Sequence, residues 1–301
     1  MVKIERNIRH LSFNDLGEYF ESMSRAPFVM SKATSPFQRQ TEIFDTTLGW
    51  RFKNEKLVAL HYPYNMGETA ENVARQWKIS RKEQDEFALA SQEKYFAAIG
   101  AGKWTDEIVK VNVEKEKGEA FVVDKDEPPR QTSMGKLAAL KPAFIKDGTV
   151  TAGNSSGIND GAAAMLLASE GSVKKFGLKP IAKIISMAVA GVDPAIMGIG
   201  PVPATKKALQ RAGVKISELD LIELNEAFAS QCLACIHDLD FDINRVNVNG
   251  GAIAIGHPLG CSGVRISTTL LHEMKRRKSK YGLTTMCVGV GQGASVVFAN
   301  Y

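Results

Sequence analysis

"NVNGGAIAIGHPLGCSG", Asn247 to Gly263, places five glycines and one histidine within seventeen residues. Glycine tolerates positive φ and lets the backbone approach a ligand or a neighbouring element closely. His257 in such a loop has two readings. It is a satisfied side chain in a structural turn, or an imidazole held where it can act as base, acid or oxyanion donor near neutral pH. The density of Gly250, Gly251, Gly256, Gly260 and Gly263, with Pro258 directly after the histidine, favours the second.

Around this loop, strand and helix patterns alternate. "PIAKIISMAVAG" is a β-branched strand and "VPATKKALQRAG" a helix closed by Gly213, while "LDLIEL" is a short buried strand. "NEAFASQCLACIHDL" opens a second helix, the histidine loop runs into a third, and "GLTTMCVGV" and "ASVVFAN" are strands around a tight "GVGQG" turn. This alternation predicts a layered α/β domain with its site in loops at strand ends. Upstream, "ISRKEQDEFALASQEKYFAAIGAG" carries a capping box, Ser80 with Glu83, and stops at Gly100. Residues 114–134, with "DEPPR", read as an extended surface excursion. "GTVTAGNSSGINDGAAAMLLAS", Gly148 to Ser169, reads as a polar loop running into an apolar strand.

Composition bounds the class. A chain of 301 residues, 44% hydrophobic and 24% charged, holds one large or two moderate globular domains and is neither fibrous nor largely disordered. No apolar run is long enough to span a bilayer, and "MVKIERNIRHLSFNDLGEYF" has no apolar core of a secretory signal. Cysteines at 232, 235, 261 and 287 form no disulfide framework, so a reducing, cytoplasmic setting is expected. A formal charge of +5 suits an anionic small molecule and gives no sign of a nucleic-acid partner. The basic cluster "KRRKSK" at Lys275 to Lys280 complements a helix C-terminus. Neither G-x-G-x-x-G nor G-x-x-x-x-G-K-[ST] occurs.

Four further groups are candidates for chemistry. Cys287 ends an apolar strand before a glycine turn. It is either a buried small hydrophobe or a thiol whose pKa the turn's N–H groups lower. Asn225, with Glu226, stands between strand and helix, as an N-cap or as an amide that positions a water or carbonyl oxygen. Ser155 and Ser156 belong to a plain turn, or bind a polar ligand tail through their hydroxyls and amides. Cys232 and Cys235, with His237 near, lack the second ligand pair that zinc needs, so both are expected on a core helix face and no metal site is expected.

Taken in order, "NEAF", "NGGAIAIGHPLGCSG" and "CVGVGQG" resemble the three C-terminal signatures of the thiolases. The resemblance extends through "ESMSRAP", "MGETAENVA" and "GTVTAGNSSGINDGAAA", nearly the whole chain. "ESMSRAPFVM", "EIFDTTLGWRF" and "MGIGPVPATKKAL" look most like 3-oxoadipyl-CoA thiolases of aromatic-compound breakdown. The resemblance implies a layered αβαβα fold and a CoA-dependent acyltransferase, cleaving a 3-oxoacyl-CoA or condensing acetyl-CoA. Coenzyme A serves as co-substrate, with no permanent cofactor, and the family forms homo-oligomers. It implies that His257 activates a nucleophilic cysteine and shares a first oxyanion hole with a water held by Asn225. Cys287 is then the second acid/base, the N–H of Gly289 belongs to the second oxyanion hole, and Ser156, Asn65 and Met66 line the pantetheine path.

Thiolases carry the nucleophile in a "CGSG"-type loop upstream of "ESMS", where this sequence has twenty residues and no cysteine. Asn65 also replaces the usual histidine of an "HMG" triplet. The expectation is therefore an α/β chain whose N-terminal half-domain is largely absent. Residues 1–27 are a remnant of that half and 28–157 a loop domain on the CoA side. Residues 158–301 hold the last strand of the N-terminal half and the C-terminal domain. Such a chain is expected to be inactive alone; the alternative is a non-catalytic, thiolase-like CoA-binding or interaction protein.

Overall fold

Alternation along the C-terminal strands sets the architecture. The structure, a computed structural model, describes residues 28–30, 43–45, 55–60, 63–114 and 120–301. By contacts the chain divides into residues 1–65 and 66–301. In the first unit, β1 (Phe28–Met30) pairs antiparallel with β2 (Ile43–Asp45), and helix α1 spans Glu55–Leu60.

The second unit begins with α2 (Met66–Gln76) and α3 (Arg81–Gly100). The expected capping box starts α3: Ser80 Oγ accepts from the Glu83 N–H, and the Ser80 N–H donates to Glu83 Oε2 at 2.7 Å. A hairpin follows, β3 (Val111–Glu114) with β4 (Ala120–Val123). Next come the short helices α4 (Met134–Ala138) and α5 (Glu170–Phe176). The excursion expected at 114–134 is thus partly a two-stranded ribbon, and the Arg130 N–H donates to Gln92 Oε1 on α3 at 3.0 Å.

From β5 (Ala182–Gly191) onward the elements run α6 (Pro201–Ala212), β6 (Leu221–Leu224), α7 (Ala229–Leu239), α8 (Ala252–Ile255), α9 (Ser262–Arg277), β7 (Tyr281–Val288) and β8 (Gln292–Asn300). The sheet order is β5-β8-β7-β6, with β6 and β7 parallel and the other pairs antiparallel. Side chains of period two divide between its faces. Ile222, Leu224, Leu283 and Val297 join Ala208 and Leu209 of α6 and Cys232 and Cys235 of α7 in one core. Leu221, Phe298 and the partly buried Val296 join Leu270, Leu271 and Met274 of α9 in the other. Helices therefore cover both faces of one sheet, an α/β/α sandwich among the described residues. Because β6 and β7 run parallel, Leu224 and Val288 end at the same edge.

Cys232 and Cys235 lie in this core as expected, fully buried on the inner face of α7. The basic cluster closes α9 as expected: Lys275, Arg276 and Arg277 fill its last turn, and both arginines reach back to Glu273 at 2.8 and 2.6 Å.

The apolar strand expected toward Ser169 does not form. Residues 158–169 make no ladder among the described residues, and Leu166 and Leu167 stay 81% and 69% exposed. A strand exists only by pairing, and no described strand lies alongside this one. The segment instead walls a cavity of about 870 Å³, lined also by Ile184, Leu271 and Phe298.

The register of α6 against the sheet depends on missing side chains. A Cβ on Gly293 of β8 would run into the carbonyl of Gly200, immediately before α6. One on Gly289 would meet nothing within 4 Å. Gly293→Ala should therefore lower the unfolding free energy by about 3 kcal/mol, while Gly289→Ala changes it by no more than about 0.5 kcal/mol. Urea denaturation of both variants checks this; equal effects would contradict the packing described.

Candidate active site

The end of β6 carries the first site residue. Asn225 follows Leu224 directly and is fully buried. It is not an N-cap, because α7 begins only at Ala229 behind Phe228. Its backbone N–H continues the parallel ladder to Thr285 O at 3.0 Å, which turns the side chain toward the histidine loop. There Asn225 Nδ2 lies 3.3 Å from His257 Nε2, and Arg265 Nη2 lies 3.4 Å from Asn225 Oδ1.

His257 is held on three sides. Its backbone N–H donates to Gly157 O at 3.2 Å, its Nδ1 lies 2.6 Å from Ser262 Oγ, and Nε2 meets Asn225. The glycines preceding it have specific tasks. Gly256 takes φ +91° beneath the Asn159 side chain, and a Cβ on Gly251 would strike the Glu226 carboxylate. Glycine content here serves close packing of the loop on its neighbours. Burial, helped by the nearby Arg265 cation, pushes the His257 imidazole down to about 4. At neutral pH it is an uncharged base.

Ser156 joins the same edge. Its N–H and its hydroxyl both donate to Ala227 O, at 3.1 and 3.2 Å, so residues 154–157 lie along the segment after Asn225. Ser155 bridges Phe228, and the Ala229 N–H donates to Asn154 O at 2.9 Å. The lone pairs of Ser156 Oγ are then its means of meeting a ligand.

Cys287, at the end of β7, packs with Met197, Ala227 and Phe228 and is 4% exposed. It therefore shares the Ala227 segment with Ser156. The lowered thiol pKa considered from sequence is not what this environment gives, since burial pushes Cys287 up to about 12. Gly289 lies in the β7–β8 turn, where Val290 and Gly291 take φ +65° and +84°. Its carbonyl accepts from Gln292 Nε2 at 3.3 Å.

Met66 opens α2 and is 37% exposed. The next residue, Gly67, lies against the Phe144 ring, and that ring meets Phe228 edge-on at 6.0 Å between centroids. The start of α2 thus packs, through Gly67 and Phe144, against Phe228 of the Cys287 cluster. Asn65 is the last residue of the first unit and is exposed.

Three residues that sequence reading passed over complete the site. Ser262 and Arg265 sit at the start of α9, and Glu223 of β6 faces Arg265 with Oε2 3.8 Å from Nη1. Despite that cation, burial pushes Glu223 up to about 8. The readable signal was spacing: Ser262 and Arg265 fall five and eight residues after His257, at the mouth of a helix.

The thiols are unequal in access rather than activated. Cys232 and Cys235 are fully buried and Cys261 is 8% exposed, and burial raises all three. Limiting iodoacetamide near pH 8 should label all four slowly, Cys261 first, as read by mass spectrometry. Fast labelling of Cys287 at neutral pH would contradict its burial.

The sequence matches the thiolase N-terminal domain over residues 19–171 and the thiolase C-terminal domain over 178–300. It is 52% identical over 280 residues to a beta-ketoadipyl-CoA thiolase of Escherichia coli, covering 92% of this chain and 70% of that protein. An acetyl-CoA acetyltransferase of Pseudomonas aeruginosa is 52% identical over 282 residues, with coverages of 93% and 70%. Human mitochondrial 3-ketoacyl-CoA thiolase in complex with CoA superposes with a TM-score of 0.82 at 45% identity, covering 93% of this chain and 69% of that one. With both domains matched and the fold shared, the chain belongs to the thiolase family, whose members are acetyl-CoA acyltransferases.

Proposed function

We propose that this chain carries the base, the oxyanion donors and the second acid/base for CoA-dependent cleavage of a 3-oxoacyl-CoA, with 3-oxoadipyl-CoA as substrate. The observation that carries the reading is the neutral imidazole of His257, fixed between Asn225 and Ser262 at the strand edge that Ser156 and Cys287 also reach. Relatives named as beta-ketoadipyl-CoA and 3-oxoadipyl-CoA/3-oxo-5,6-dehydrosuberyl-CoA thiolases support the substrate.

In this reading His257 Nε2 takes the proton of a cysteine thiol of the family's nucleophile loop, and the thiolate adds to the C3 carbonyl. The N–H of Gly289, with the N–H of the nucleophile, stabilises the resulting oxyanion. The bond between C2 and C3 breaks, leaving an acyl-enzyme and the enolate of acetyl-CoA. The enolate takes its proton at C2 from Cys287 Sγ, and His257 with a water on Asn225 supports its thioester oxygen. A thiol held protonated to about pH 12 suits that donor role, because a carbanion is the stronger base. The CoA thiol gives its proton to the Cys287 thiolate and attacks the acyl thioester, releasing the shortened acyl-CoA, while the freed nucleophile recovers its proton from His257. Ser156 Oγ accepts from an amide of pantetheine, with Met66 and Asn65 along the same path.

A second reading, CoA binding without turnover, draws on the four cysteines themselves. All are buried and none has its thiol lowered toward neutrality, so none is poised as the covalent nucleophile.

One experiment separates these. Loss of 3-oxoadipyl-CoA enolate absorbance is followed for the 301-residue chain and for the same chain joined to a thiolase N-terminal segment bearing the nucleophile. The extended protein should turn over on the order of 10⁶ faster than the chain alone, and His257→Ala within it should lose nearly all of that gain. No activity in the extended protein, or full activity with His257→Ala, would overturn the assignment.

A further inference from the structure

The Asn225 side chain sits between a group that only donates and a ring that can do either. Arg265 carries five N–H donors, no acceptor, and a permanent charge. Because its Nη2 faces one end of the Asn225 amide at 3.4 Å, that end must be the oxygen. The NH₂ end then faces His257 Nε2 at 3.3 Å and meets a lone pair there. On the far side, the Ser262 hydroxyl donates to Pro258 O at 3.0 Å, a carbonyl that can only accept. His257 Nδ1 must therefore supply the proton in its 2.6 Å contact with Ser262 Oγ. The hydrogen bonds run one way, from Arg265 through Asn225, His257 and Ser262 to Pro258.

We infer that Arg265 is a positioning residue for His257: it fixes the polarity of this chain, so that the imidazole is neutral, protonated on Nδ1, with its Nε2 left as the acceptor that Asn225 faces. The inference rests on the reading of His257 as the base, and it adds a residue that acts on it through Asn225.

Charge acts in the same direction. The Arg265 side chain is 14% exposed, and its Nε and Nη1 have no hydrogen-bond partner among the described residues. Of the titratable groups near it, Glu223 is mostly protonated at neutral pH because burial raises it, and the Cys261 thiol is raised as well. Asp126 is raised by burial and drawn back by Arg265, leaving it the one opposing carboxylate among these neighbours. The cation is thus only partly cancelled, and it disfavours a second positive charge on the imidazole beside it. Toward His257 itself, Asn225, Ser262 and the Gly157 carbonyl are neutral.

Nitrogen-15 NMR of the whole 301-residue chain reads tautomer and titration together, with His257→Gln to assign the resonances. In the native chain Nδ1 should be protonated and Nε2 bare at pH 7. Arg265→Met removes donor and charge: the two tautomers should mix, and the His257 titration should rise by about one pH unit or more. Arg265→Gln keeps a donor and loses the charge, so the tautomer should hold while the titration rises. Arg265→Lys keeps both and should leave both readouts as in the native chain. Unchanged tautomer and titration in the folded Met and Gln variants would overturn the inference, as would a Lys variant that behaves like Met. Failure of both uncharged variants to fold would make Arg265 structural and overturn it equally. Absence of acyl transfer activity would leave this result standing, so the two readings fail separately.

Discussion

One buried carboxylate holds the site together. Glu226, directly after Asn225, accepts from Ser91 Oγ at 2.7 Å, from Asn247 Nδ2 at 2.8 Å and from the Ile253 N–H at 3.0 Å. Those donors belong to α3, to the loop between α7 and α8, and to α8. A single side chain therefore fixes the histidine loop to the strand edge from which Asn225 projects. A buried hydrogen bond contributes about 1 kcal/mol net, and removing this acceptor would leave three buried donors unpaired. The other constraints gather around it. Gly251 lacks a side chain because the carboxylate occupies that space, and Asn247 imitates a strand by exchanging hydrogen bonds with both the N–H and the C=O of Leu224 at 2.9 and 2.8 Å.

On this frame, electrostatics selects the state of each reacting group. Burial, with the Arg265 cation, pushes His257 down, and burial pushes Cys287 up, which leaves a neutral base and a neutral acid at one edge of one sheet. Burial raises Glu223 to about 8, so it offsets Arg265 only in part, although the two stand 3.8 Å apart. The arrangement keeps uncharged groups where carbon–carbon cleavage develops charge, and it relies on fixed N–H donors to receive it.

Much of this was legible in the sequence because local chemistry and tertiary packing agree. The strand ending at Leu224, the helix closed by Gly213 and the capping box at Ser80 follow from period, glycine and cap residues, and each forms where those features stand. Two glycine-rich segments marked His257 and Cys287, and the polar pair after the buried strand marked Asn225. What the sequence left ambiguous was environment. Asn225 has the residue type of an N-cap, but a ladder bond to Thr285 carries the chain past it before α7 starts. Cys287 borders a glycine turn, but its thiol points into the core with Met197 and Phe228. Residues 158–169 have strand composition, yet no described neighbour pairs with them. Arg265 and Ser262 were missed because an arginine and a serine early in a helix are ordinary. Only their contacts with Asn225 and His257 distinguish them.

The claim that these segments form one acyl-CoA site is tested most directly by a crystal structure of the 301-residue chain grown with coenzyme A. The account predicts the CoA sulfur at the edge formed by His257 and Cys287, with a pantetheine amide within hydrogen-bonding distance of Ser156 Oγ, about 3 Å. Coenzyme A bound elsewhere, for example in the cavity beside residues 164–169, with the His257 edge left without it, would contradict the account.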